Sequence, residues 1–269
     1  MLNLIDEDFD AMDLAHGALA LNKAVNPETN SKWAREELKR LLEEAELALA
    51  HEADDKRRFS ALIRLFYGEW NFQGDKDAYY DSSNAFLDKV LQSRKGIPVS
   101  LGSILLYLGG KLGLPMEAVS FPTQLLIKLT WPGEKPQYIN PFDGEVVTKR
   151  TLQAWLIGHR GPLASIETAD LECADNPTII GRWLALIKTA LLREERYTLA
   201  LRCTDLALTF VPDDPYEIRD RGFIYQQLDC HQIALTDYQY FIDQCPDDPA
   251  AELLKSQVNV MSETSITVH

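Results

Sequence analysis

Apolar residues recur at three- and four-residue intervals through the first quarter of the chain, which predicts helices over residues 11–25 and 28–70. Trp33, Leu38, Leu41, Leu42, Ala45 and Leu49 make one stripe, and Phe59, Leu62, Ile63 and Phe66 continue it. Asp81-Ser-Ser begins a further helix that reaches Arg94. From Val99 to Leu112 apolar residues occupy every side, the pattern of a buried helix. Gly96-Ile-Pro opens it, and Gly113 with Pro115 stops it. Beyond Pro115 the signals turn strand-like: Met116 to Phe121, Gln124 to Trp131, a turn at Pro132-Gly133, then Tyr138-Ile139 running into Asn140-Pro-Phe-Asp-Gly. A last helix runs from Thr148 to Ile157. Helices followed by a small antiparallel sheet make an α+β, mostly helical arrangement.

The later part of the chain has a different rhythm. Val211-Pro-Asp-Asp-Pro returns as Cys245-Pro-Asp-Asp-Pro at an offset of 34 residues, the tetratricopeptide period. The second unit has Gly222, Tyr225, Ala234, Tyr238, Phe241 and Pro246 in the repeat's phase. The first has Leu184, Ile187, Ala200, Ala207 and Pro212, with Lys188 in place of the glycine. Small residues such as Ala200 and Ala234 let paired helices approach closely. Asp214 and Asp248 are placed to cap helices that open on Pro215 and Pro249. A third copy has room for one helix, with Leu253, Leu254 and Val258 on a stripe, before the polar tail Ser262 to His269; such a cap is what a repeat stack needs. From about Asn176 the chain resembles a tetratricopeptide repeat (TPR) protein.

Composition narrows the function. The 269 residues are 46% hydrophobic and 25% charged, ordinary for a globular chain, while 27 basic against 41 acidic residues give a net charge of −14. The charge is segregated: residues 1–80 carry −7, residues 81–166 carry +3 and residues 167–269 carry −10. Acidity of this kind, with no basic arm, argues against direct nucleic-acid binding. The N-terminus, Met1 to Asp8, is acidic where a secretion signal is basic, and the longest apolar run, Val99 to Leu108, is half a membrane span. A cytoplasmic protein without membrane contact is expected. Cys173, Cys203, Cys230 and Cys245 are too widely spaced for a metal or redox pair. His16, His51, His159, His231 and His269 are equally scattered, so neither metal nor cofactor is expected.

Tyr79-Tyr-Asp, Asn84, Val90-Leu, Arg94-Lys-Gly-Ile-Pro-Val-Ser-Leu-Gly, Leu112-Gly-Leu-Pro, Phe121-Pro-Thr-Gln-Leu-Leu-Ile and Asn140-Pro-Phe-Asp-Gly resemble the SirB-type family, a bacterial transglutaminase-like core fused to C-terminal TPR units. The resemblance implies a papain-like core over residues 1–166, a linker over 167–175 and an α-helical hairpin stack over 176–269. The units run over about 181–214 and 215–248, with a capping helix from 249. An active site of this family needs a thiolate at the start of the buried helix, a strand histidine and a group to hold that imidazole. The matching positions hold Pro98, Gln124 and Asn140. Asparagine serves papain-like enzymes, but an amide has no usable basicity at position 124 and proline offers no nucleophile. Ser100 lies about 200° round the helix from Pro98, and Thr123 faces away from its neighbour Gln124.

The expectation is therefore a non-catalytic protein with no catalytic residues, acting as an interaction or regulatory adaptor. The family name reflects an association with invasion-gene expression, which the resemblance extends here only as an indirect regulatory role. Trp70, Tyr79, Tyr80, Asn84 and Ser100, with Phe66, Tyr67 and Phe72, are candidates to line a remnant pocket or simply to form core. Gln124 and Asn140 either bind a ligand or bond each other and hold the sheet to the helix. The TPR surface, the remnant pocket or both are expected to take a protein or peptide partner. Arg193, Arg196, Arg202, Arg219 and Arg221 either grip carboxylates there or are neutralised by Asp205, Glu217, Asp220 and Asp237. Two alternatives stand beside the adaptor: a hydrolase or transferase of the same fold using an unrecognised nucleophile such as Ser100, and a scaffold with no discrete pocket.

Overall fold

The computed structural model of the protein describes residues 9–266; the acidic start Met1–Asp8 and the end of the tail, including His269, lie outside the described residues. Contacts divide the chain into a unit built on Asp6–Trp183 and a unit built on Leu184–His269. No helix among the described residues is long and apolar enough to cross a membrane.

The first unit begins with α1 (Leu14–Val25), α2 (Ser31–Leu49) and α3 (Asp55–Ile63), the last running on into a π-helical turn, Arg64–Glu69. The long helical stretch expected over 28–70 is broken at residues 50–54. Asp54 turns extended there and caps α3 by accepting from the Arg57 N–H at 2.9 Å. The helix expected from Asp81 is likewise divided into a 3-10 turn, Ser82–Asn84, and α4 (Leu87–Ser93). Phe86 is extended between them and carries no cap, so the chain turns before the second helix starts.

The buried helix α5 (Pro98–Lys111) follows the expected residues almost without shift, and it is the centre of the unit. Its all-round apolarity has a packing consequence: α1, α2 and two strands of the sheet lie against it. Two glycines on one side, Gly102 and Gly109, make the sheet's approach possible. A side chain at Gly102 would meet Leu125 at 2.5 Å and Pro141 at 3.1 Å, and one at Gly109 would strike Met116.

The sheet comprises β3 (Met116–Ser120), β4 (Leu125–Leu129), β5 (Gln137–Ile139) and β6 (Val146–Val147), antiparallel throughout in the order β3-β4-β5-β6. Met116 pairs with Leu129, Ile127 with Ile139 and Ile139 with Val146. The two-residue β6 has too little alternation to be read from sequence. A smaller parallel ladder joins β1 (Gln73–Gly74) to β2 (Lys95–Gly96) beside the start of α5. Alternation along β4 sends Leu125 toward α5 and Leu126 to the other face. There Leu126 joins Val119, Phe121 and Val147 beneath Leu152 and Leu156 of α6 (Lys149–Arg160). Both faces are covered, which is why β4 reads as a nearly continuous apolar run.

Helix α7 (Asn176–Arg193) contributes to both units. Trp183 is fully buried and its indole N–H donates to the Ala85 carbonyl at 2.9 Å, which fixes the first turns of α7 in the first unit.

The second unit continues with α8 (Tyr197–Phe210), α9 (Pro215–Gln227), α10 (His231–Gln244) and α11 (Pro249–Ile266). Ala200 and Ala234 are fully buried, and a side chain at Gly222 would press on Asp237 and the Tyr238 ring at 3.0 Å. Ala207 and Tyr225 are half-buried, while Pro212 and Pro246 sit exposed in the turns. Asp214 caps α9 through the Tyr216 and Glu217 N–H groups, and Asp248 accepts from Ala250 N–H at 2.8 Å. Leu254 and Val258 of α11 pack into the core around Phe241. Leu253, expected on the same stripe, is 74% exposed. One residue along a helix is a rotation of about 100°, enough to carry it out of the core. The final helix also continues past Ser262 into the polar tail.

Candidate functional site

Residue Pro98 is the first residue of α5, after an extended Ile97. A proline is well suited there because the first helical N–H has no intrahelical acceptor to lose. Ser100, two residues on, is fully buried and spends its hydroxyl locally. The oxygen accepts from the Ile97 N–H at 3.1 Å and its hydrogen points to the Asn84 carbonyl at 2.7 Å. Asn84 in turn donates to Ala78 O at 2.7 Å and to Asp75 at 3.3 Å. Burial works to raise the Asp75 carboxyl, and hydrogen bonds from Ala78 and Asn84 overcome it, leaving the group below the ordinary carboxylate value. Ser100 and Asn84 thus form a latch that holds the 75–84 segment against the start of α5.

Gln124 stands just ahead of β4 and Asn140 just beyond β5, and the antiparallel pairing of those strands brings them together. Gln124 Nε2 donates to Asn140 Oδ1 at 2.9 Å. The same Asn140 oxygen accepts from the Phe142 N–H, and Asn140 Nδ2 donates to Asp143 at 3.1 Å. The result is a one-directional run of hydrogen bonds, Gln124 to Asn140 to Asp143, with no group of useful basicity at its start. Mutual bonding is one of the two uses expected for this amide pair, and the structure shows that bond.

The turn carrying Asn140 is clamped by Tyr67, whose hydroxyl donates to the Pro141 carbonyl at 2.7 Å. Its ring lies over Gly144, which has φ +76° and no room for a side chain. Burial, then the nearby Asp143 charge, push the Tyr67 hydroxyl far above its ordinary pKa. Tyr67 belongs to the π-helical turn, whose extra residue per turn re-aims the side chain.

The other aromatics divide. Phe66 and Phe72 stack at 4.3 Å and are buried core. Trp70 turns toward α2, donating to Glu44 at 3.0 Å. Tyr79 approaches Phe142 at 5.9 Å and so reaches the Asn140 turn, whereas its neighbour Tyr80 is 64% exposed. Sequence reasoning missed Arg182, which donates to the Ser120 hydroxyl at 2.6 Å and to the carbonyls of Phe121 at 2.8 Å and Pro122 at 3.0 Å, bracing the turn before Gln124. No local pattern signals it, since the partners lie some 60 residues away in sequence.

Other nucleophile candidates are poorly placed. Cys173 is exposed beside Lys128 at 3.5 Å, but burial of its sulfur and the neighbouring Glu117 raise its pKa. Burial pushes the Cys203 thiol up as well. Asp13 and His16 pair at 2.8 Å, but Asp13 is the cap of α1, accepting from the His16 N–H. No cluster suited to a metal ion occurs among the described residues.

In the repeats, Lys188 takes the position of the missing glycine and is 7% exposed. Its ammonium donates to both Glu217 oxygens at 2.8 Å and to Asp220 at 2.7 Å. Arg219 pairs with Asp220, and Arg221 grips Asp237 with two bonds of 2.8 Å. Those two arginines are neutralised within the unit, while Glu217 serves a lysine rather than an arginine.

Residues 32–185 match the family described as the transglutaminase-like superfamily, and residues 187–259 match the tetratricopeptide repeat. The chain is similar over 100% of both lengths to a UPF0162 protein of Vibrio cholerae serotype O1, at 72% identity. It is 39% identical to Protein SirB1 of Salmonella typhimurium and 39% identical to the UPF0162 protein YchA of Escherichia coli (strain K12), again over 100% of each chain.

Proposed function

From the premise that the chain belongs to the SirB1/UPF0162 family of transglutaminase-like proteins with tetratricopeptide repeats, we propose that it is a non-catalytic adaptor. Its core serves as a rigid platform and its repeats recognise a protein partner. The observation that carries this reading is the Gln124–Asn140 bond at 2.9 Å. Two amides occupy the positions where acyl-transfer chemistry needs a base and the group that orients it. Pro98 at the head of α5 supplies no nucleophile, and the nearest hydroxyl, Ser100, is fully buried and committed to the Asn84 and Ile97 backbone. Tetratricopeptide stacks generally mediate protein contacts, which supports placing recognition on α7–α11.

The experiment joins two readouts. Cysteine- and serine-directed electrophiles are applied to the native full chain, and the same chain is used to capture proteins from a native bacterial extract. The reading expects slow, unselective labelling and a captured protein. Rapid reaction at a single residue, abolished by Ser100→Ala or by one cysteine substitution, establishes an enzyme instead. Failure to capture any protein removes the adaptor role.

A further inference from the structure

Several large apolar side chains of the repeat unit stay outside its core: Tyr216 is 48% exposed, Phe223 42% and Leu253 74%. Tyr216, Arg219 and Phe223 follow one another at helical spacing on one side of α9. Leu253 occupies on α11 the position of Arg219 on α9, 34 residues later.

Two hydrogen bonds hold these sides next to each other. The Tyr216 hydroxyl donates to Asp248 at 3.0 Å, and Gln257 Nε2 donates to Gln226 Oε1 at 2.6 Å. Arg219 belongs to the apolar strip rather than interrupting it. Its guanidinium stacks over Tyr216 at 5.4 Å and Phe241 at 5.3 Å while its charge is met by Asp220 at 2.8 Å.

The ends of α9 and α11 nearest Tyr216 and Leu253 are ringed by Asp213, Asp214, Asp247 and Asp248. Among the described residues none of the four is paired with a lysine or arginine. Residues 184–269 hold seven basic and fourteen acidic side chains, a net −7. Three of the seven, Lys188, Arg219 and Arg221, are already spent on Glu217, Asp220 and Asp237. The uncompensated charge at this edge is therefore negative.

Resting on the adaptor reading, we propose that the face shared by α9 and α11 binds a protein segment that is apolar along one side and carries lysine or arginine at one end. The apolar side covers Tyr216, Phe223 and Leu253. The cationic end lies against the paired Asp-Asp turns. A phosphate-bearing or acidic segment is repelled there.

The test measures fluorescence anisotropy of three synthetic amphipathic peptides with the full chain. They share one leucine- and phenylalanine-bearing side and end in lysines, glutamines or glutamates. The lysine peptide is expected to bind about tenfold or more tighter than the glutamate peptide, with the difference shrinking at high salt. Phe223→Ser and Leu253→Ser are expected to weaken it about tenfold each, with unchanged far-UV circular dichroism because both sites are exposed. Equal binding of all three peptides, no binding of the lysine peptide, or binding that survives both substitutions overturns this assignment. Each of those results leaves the adaptor role standing if the extract experiment still captures a protein, so the two ideas fail separately.

Discussion

Replacing Lys188 by methionine keeps most of the side chain's volume and removes only its charge and its three hydrogen bonds. The side chain is 9% exposed and its ammonium sits 2.7–2.8 Å from three carboxylate oxygens. Removing one partner of a buried ion pair costs about 3–5 kcal/mol, because the other charge is left uncompensated. Glu217 and Asp220 retain 21% and 25% exposure, and Asp220 keeps Arg219. Partial rehydration places the expected loss below that range, at about 2–3 kcal/mol. Lys188→Gly, which restores the residue typical of the repeat, is expected to lose more, adding a cavity and about 1 kcal/mol of helix propensity. Burial works to lower the Lys188 pKa, and the bonds to Asp220 and Glu217 outweigh it, so the net shift is upward. A raised cationic group stabilises fully below its unfolded value, about 10.4, and loses that contribution as pH rises through the folded value. The gap between wild type and Lys188→Met is therefore constant from neutral pH to about 10 and closes above it. Hydrogen exchange of the α9 and α10 amides in the full chain reads the local stability across that range. A methionine variant as protected as the wild type, or a glycine variant more protected, refutes the reasoning.

Four further outcomes follow from the same contacts. Asn140→Ala strands the Gln124 amide and the Phe142 N–H, costing about 1–3 kcal/mol in thermal unfolding; capture of the protein partner is expected to remain, and its loss would place recognition on the core. Gly102→Ala puts a methyl 2.5 Å from Leu125, an overpacking cost of about 1–3 kcal/mol; an unchanged melting temperature would show that the sheet yields easily. Asp214→Ala removes the cap of α9 at about 1 kcal/mol, seen as faster amide exchange at Tyr216 and Glu217 and not in α5. Burial and then Glu117 raise the Cys173 thiol, so its alkylation is expected to reach half its limiting rate above pH about 8.5; a midpoint below that value would mean that the Lys128 charge outweighs burial and Glu117, and contradicts this reading.

The elements most legible in the sequence are those whose burial is uniform or whose caps are local. The helix at Pro98–Lys111 could be read because it is apolar all round. The helices at Pro215 and Pro249 could be read because Asp-Asp-Pro carries cap and first residue in one motif. The break at residues 50–54 was harder, since Glu52, Ala53 and Asp54 are all compatible with a helix interior until Asp54 is seen bonding the Arg57 N–H. Strand β6 is too short for alternation to show. At the site, the Gln124–Asn140 bond was one of two uses foreseen for the pair, while Tyr67 and Arg182 act through backbone carbonyls distant in sequence. A carbonyl acceptor has no residue identity, so such contacts leave no trace in the order of side chains.

The charge pattern shows the same division between what is local and what is folded. Net charge by segment is a sum over the sequence, and it already set the repeat region apart as acidic. It could not say which carboxylates are spent. Folding assigns Glu217, Asp220 and Asp237 to Lys188, Arg219 and Arg221, and it leaves the Asp-Asp turns beside an exposed tyrosine and leucine. The repeat period explains why this falls on one edge. Each turn recurs 34 residues after the last, so any uncompensated charge in it is stacked on the same side of successive units. A single Asp-Asp turn is an ordinary helix cap; two in register beside an apolar strip make a surface with a sign, and that sign is what selects a cationic partner over an acidic one.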